Sequence, residues 1–147
     1  MAFEAKALVT SLAKQYIAEM WAYGVSYQVK FFEVSAGGHD PNDPTTALAV
    51  DPAATSIPGT VLFGPEAIDS MEFETAQCPI FVCTIEQGEY TGELSSVGLI
   101  AEILSAGTGH PDPPVVGTYF LYALYNRPRV SLTSTDGPTT FRMHPFM

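Results

Sequence analysis

Leu8, Val9, Leu12, Tyr16 and Met20 recur at spacings of three and four, while Lys6, Lys14, Gln15 and Glu19 fall mostly elsewhere. This pattern predicts one amphipathic helix over residues 4–22, stopped at Gly24, with its apolar side covered by a sheet or by another subunit's helix. After Gly24 the period changes to two. Val25, Tyr27, Val29 and Phe31 alternate with Ser26, Gln28 and Lys30, and then Phe32 and Val34 switch parity, as at a β-bulge or in a strand buried on both faces.

Residues 35–46, S-A-G-G-H-D-P-N-D-P-T-T, carry two glycines and two prolines and are expected to be a long loop without regular structure. The chain from 45 to 64 reads as irregular, with one short strand near 60–63. Residues 70–75 and 80–86 read as neighbouring strands, 86–92 as a turn and 93–104 as a further strand. A loop over 105–114 leads to the aromatic strand 119–125. Arg127-Pro128 is expected to interrupt it, and residues 130–143 to form a hairpin about Asp136-Gly137. The expected fold class is α+β, mainly β: an N-terminal amphipathic helix packed on a mostly antiparallel sheet or sandwich with long loops. A length of 147 residues suits one domain spanning 1–147, with the helix at 4–22 and a β-rich body over 25–143.

Charge narrows the range of partners. Sixteen acidic residues against six basic ones give a net charge of -10, which disfavours nucleic acid. Every basic residue lies in the first 30 positions or after 126, whereas thirteen of the sixteen acids fall between 31 and 126. An acidic block of this kind repels anionic membranes and attracts basic surfaces. Only 15% of residues are charged, against about 25% in an average domain, which favours contacts with other subunits. No apolar run reaches the length of a membrane helix and no signal peptide is recognised, so synthesis in the cytoplasm is expected. Cys78 and Cys83, five apart on a strand, are expected to point to opposite faces as buried, reduced thiols.

Candidate chemistry is sparse. His39, His110 and His144 sit beside prolines or in loops, form no catalytic motif, and leave no catalytic residue to nominate. Glu72 and Glu74 alternate as solvent-facing strand positions rather than as a hydrolytic carboxylate pair. The one metal candidate is H-D-P-N-D, where Asp40, Asn42 and Asp43 offer hard oxygen ligands, with His39, His110 and Asp112 as additions. The same residues are common turn formers, and the EF-hand spacing with its closing glutamate is missing. No cofactor is expected. The aromatic run 119–125 could stack a sugar, although strand alternation would bury half of it.

Several stretches together carry a likeness. They are the opening helix, V-S-Y-Q-V-K-F-F-E-V-S-A-G-G (25–38), D-P-N-D-P-T-T (40–46), E-L-S-S-V-G-L-I-A-E-I (93–103) and Y-A-L-Y-N-R-P (122–128), with Gly98-Leu99 the best match. In this order they resemble the N-terminal domain of phage tail-fibre proteins of the tail-collar type, and more broadly the fibre-attachment and baseplate proteins of contractile-tailed phages. The resemblance implies a virion structural protein, an adaptor at the baseplate/tail-fibre junction without an active site. Its partners would be other tail, baseplate or fibre proteins, and the chain would form a trimer or hexamer. Because the chain stops at Met147 without a shaft or receptor-binding tip, a short docking adaptor is expected. Leu8, Leu12, Tyr16 and Trp21, on the apolar side of the expected helix, are the candidate assembly residues. The alternative is a small-ligand or carbohydrate-binding β domain, calcium-dependent through the 39–43 loop.

Overall fold

The computed structural model describes residues 1–76 and 78–147. The fold is mainly β, with one helix and a large, mostly antiparallel sheet. In chain order the elements are β1 (Ala2–Val9), α1 (Ser11–Tyr23), β2 (Val25–Ser35), β3 (His39–Asp40), β4 (Asp43–Ala47) and β5 (Val61–Ala67). They continue with β6 (Ser70–Thr75), β7 (Cys78–Ile85), β8 (Gly92–Ala106), β9 (Tyr119–Leu132) and β10 (Thr139–Phe146).

The N-terminal helix is shorter than its periodicity suggested, beginning at Ser11 rather than at residue 4. Residues 2–9 instead alternate as a strand, burying Ala5, Ala7 and Val9 while Glu4 and Lys6 face out. This strand runs parallel to β10 over seven residue pairs and touches β9 through Leu8 and Val9. Thr10 then caps the helix. Its Oγ1 accepts from the Ala13 N–H (3.3 Å) and donates to the Leu121 carbonyl (2.7 Å), so one buried hydroxyl both starts α1 and ties it to β9. At the other end Gly24 takes φ +85°, and its N–H returns to the Met20 carbonyl. The helix packs on its own sheet: Ala13 is fully buried and Tyr16 meets Phe120 edge-on at 4.9 Å.

The eight strands of the large sheet follow the order β5-β2-β8-β9-β1-β10-β7-β6. Its terminal strands, β5 and β6, are separated in the chain by Ile68 and Asp69 alone. A flat sheet of that size would hold its edges about 33 Å apart, which a three-residue step of about 10 Å cannot span. The sheet therefore closes on itself. Ile68 donates its N–H to the Lys30 carbonyl of β2 (3.0 Å), and Asp69 donates to the Val82 carbonyl of β7 (2.8 Å). The curl also appears in a ring contact of 6.1 Å between Phe81 of β7 and Tyr122 of β9, two strands with β1 and β10 between them. Phe32, Leu99, Phe141 and Met143, all fully buried, belong to the one core cluster that this curvature assembles.

Other departures from the sequence pattern have local causes. The parity switch in β2 is real, with register shifts against β8 between Val29 and Phe31 and against β5 beyond Phe32. Residues 39–47, expected to lack regular structure, form the small β3–β4 hairpin. Arg127-Pro128 does not end β9. Residues 127–129 bulge opposite Ser95, and pairing with β8 resumes at Val130 opposite Leu94. Asp136 does close a turn, its carboxylate accepting from the Thr133 N–H (2.6 Å), yet no hairpin follows. β10 pairs instead with β1 and β7, because β1 occupies the place beside β9. Cys83 is buried as expected, and burial pushes its thiol pKa up, but Cys78 is exposed at the start of β7.

Candidate functional site

Residues from distant stretches of the chain converge at the end of β2. Gly37 and Gly38 leave the end of β2 and pass so close to neighbouring backbone that a β-carbon on either would collide, with the Pro58 carbonyl at Gly37 and the Ser95 carbonyl at Gly38. The Gly38 N–H donates to Ser95 Oγ (2.8 Å), and the Ser95 hydroxyl lies 2.8 Å from His39 Nδ1. Beside it Ser96 Oγ donates to Asn126 Oδ1 (2.9 Å), and Asn126 Nδ2 donates to the Leu48 carbonyl (3.3 Å). Ser35, whose hydroxyl bonds the Pro58 carbonyl, completes this polar knot, and Ser35, Ser95 and Ser96 are fully buried.

The knot fastens a strap, residues 48–59, across the outer face of β2, β8 and β9. Ile57, only 4% exposed, enters a second apolar cluster with Ile100, Leu121 and Leu124. Gly98 makes the seat, since a β-carbon there would lie 2.9 Å from Leu121 Cδ1. Pro52 fixes the far side by accepting the Ser11 N–H (2.7 Å). Sequence reasoning missed this strap. Ile57 is one apolar residue in a Pro/Gly-rich run, and only the unexplained Gly98 between apolar strand residues hinted at a close approach.

The catalytic and metal candidates are dispersed or already engaged. Asp40 Oδ1 accepts from the Asn42 N–H (2.9 Å). Asp43 accepts from the Thr45 N–H (3.1 Å) and from the hydroxyls of Thr45 and Thr46 (both 2.7 Å), and these bonds hold its carboxyl below the usual range. The three residues therefore build the β3–β4 turn. Among the described residues no three His, Cys, Asp or Glu side chains are grouped to hold a metal ion. His110 is wedged against α1: its Nδ1 accepts from the Asp112 N–H (3.0 Å), its ring lies 4.4 Å from that of Tyr23, and its Nε2 sits 3.1 Å from Glu19 Oε2. Both of those last atoms are buried without a hydrogen-bond partner among the described residues. Glu72 and Glu74 are tied into a surface network, Glu72 to Arg142 (2.9 Å) and Glu74 to His144 (3.8 Å), with Glu4 bonded to both Arg142 and His144.

The assembly candidates separate. Leu8 lies on β1 rather than on a helix, Leu12 and Tyr16 are half-buried, and Tyr16 is used within the chain; Trp21 alone stands out, 80% exposed. Sequence reasoning passed over a second apolar surface. All six residues of β6 are exposed, and Met71 and Phe73 share a face while Glu72 and Glu74 take the other. The alternation predicts a strand, and the structure leaves both apolar side chains more than half exposed. Among the described residues no helix is long and apolar enough to cross a membrane. No protein-family model, curated protein or solved structure matches this chain.

Proposed function

We propose that this chain is a structural protein of a tailed-phage virion, an adaptor at the baseplate/tail-fibre junction that acts through protein–protein contacts in a trimer or hexamer. It is made in the bacterial host cytoplasm and carries out no catalysis. The observation that carries the reading is β6, an edge strand with an uncovered stripe of Met71 and Phe73, which suits completion by another chain. Trp21 on α1 and Val115 and Val116 in the loop before β9 add further exposed apolar surface.

Two features support the likeness to tail-collar proteins. Residues from its matching stretches, Gly37, Gly38, Ser95, Ser96, Gly98 and Asn126, lie together around the strap. That unit is a fastening, in keeping with a protein whose function is shape. The 39–43 segment spends its oxygens on its own turn, which weighs against calcium-dependent ligand binding. The test is electron microscopy of phage tails carrying a gold-labelled tag on this chain. Label at the distal end of the tail is expected; label on heads, or virions lacking the chain, would overturn the reading.

A further inference from the structure

Glu33 occupies an unusual position on the outer face of β2. Its neighbours on that strand are accounted for, with Phe32 and Val34 in the main core and Lys30 paired with Glu102 across on β8. The Glu33 side chain has neither a hydrogen bond nor an ion pair among the described residues. It is half-buried and lines a cleft with Phe31, Pro65, Ile100 and Tyr119, and a neighbouring hollow that shares Glu33, Ile100 and Tyr119 reaches Thr55 and Ser56 of the strap. Burial alone pushes its carboxyl pKa up, as expected of an acid held among apolar groups without a compensating charge.

We propose that this cleft receives an arginine side chain from a different protein, with Glu33 as its counter-ion and the rings of Phe31 and Tyr119 flanking it. The inference deepens the adaptor reading above and rests on it. Arginine fits better than lysine, because a planar guanidinium can meet a carboxylate with two hydrogen bonds while lying against an aromatic face. Phe31 and Tyr119 stand edge-to-face with centroids 5.6 Å apart, both line the cleft with Glu33, and Tyr119 is 58% exposed. No basic residue lines the cleft, and the net charge of -10 favours a cationic partner.

A second copy of the chain is a poor source of that arginine. Arg129 is paired with Glu93, Arg142 with Glu4 and Glu72, and Arg127 lies over the Phe3 ring at 4.2 Å. All three arginines of the sequence are thus engaged, and the occupant is a partner of different sequence.

The experiment is an NMR titration of the 15N-labelled protein with acetyl-Leu-Arg-Leu-amide and with the same peptide carrying citrulline, a neutral isostere, in place of arginine. Saturable shifts are expected at Phe31, Glu33, Ile100 and Tyr119 with the arginine peptide, and binding about fivefold or more weaker with citrulline. Glu33→Gln should reduce the arginine peptide to the citrulline level, whereas Glu66→Gln on the exposed face of β5 should not. Shifts spread over the acidic surface, equal binding of both peptides, or an unaffected Glu33→Gln would each overturn the proposal. Any of these results with the chain still found on tails removes the cleft alone, while absence from tails removes the adaptor reading.

Discussion

At Gly38 the backbone runs against the Ser95 carbonyl with no room for a methyl group, and the obstacle is backbone, which cannot swing aside. Gly38→Ala should therefore cost about 2–4 kcal/mol in a urea titration, within the range of overpacked or strained sites, because it opens the knot that holds the strap. Gly137, with nothing within 4 Å of a β-carbon, is the control, and Gly137→Ala should change stability by about 0.5 kcal/mol or less. Asp43 gives a test in pH. Its folded-state pKa is lowered by hydrogen bonds from Thr45 and Thr46, so its contribution is present above the unfolded-state pKa and is lost as pH falls through the folded one. Protection factors in β3–β4, taken relative to intrinsic exchange at each pH, should fall over that acidic window, and Asp43→Asn should remove that fall. At this scale the sequence marked the right residues for incomplete reasons. The glycine pair and the Asp/Asn turn formers were visible, but the Ser95, Ser96 and Asn126 partners lie 30 to 78 residues away from the groups they bond.

Thr10 is the junction between two elements. Thr10→Ala removes both the helix cap and a buried bond to the Leu121 carbonyl, so a loss of about 2–3 kcal/mol is expected, summed from a cap and an unsatisfied acceptor. Thr10→Ser should retain most of that stability by thermal or chemical denaturation. The same junction explains why the helix was drawn too long. Ala5 and Ala7 suit either period, and Leu8, Val9 and Leu12 complete a convincing helical stripe although Leu8 and Val9 belong to a strand. Alternation of Glu4 and Lys6 with buried Ala5 and Ala7 was present, but small side chains make it faint. β2, β6, β7 and β8 were legible because their β-branched and aromatic positions alternate or run continuously. β9 passes its proline by bulging, a solution set by pairing with β8 and invisible in one strand. The pairing of β10 with β1 rather than β9 likewise depends on a strand that begins at the opposite end of the chain.

For the whole molecule, closure of the sheet through residues 61–75 leaves β6 as a bent continuation of β5 that pairs only with β7. Sequence pattern predicts strands but not which edges meet, so neither the closure nor the uncovered Met71/Phe73 stripe could be read in advance. These two side chains, 51% and 58% exposed, are the chief reason to regard the chain as part of an assembly. A lysine pair at their positions should leave the fold intact, because neither belongs to the core clusters of the described residues, while placing charge where a partner strand must sit. The decisive measurement is absolute mass by light scattering after size exclusion, over a concentration series, for the wild type and for the Met71→Lys, Phe73→Lys double variant. The account predicts a defined trimer or hexamer for the wild type and a monomer with unchanged circular dichroism for the variant. A wild type that stays monomeric at every concentration, or a variant with the wild-type mass, would contradict it.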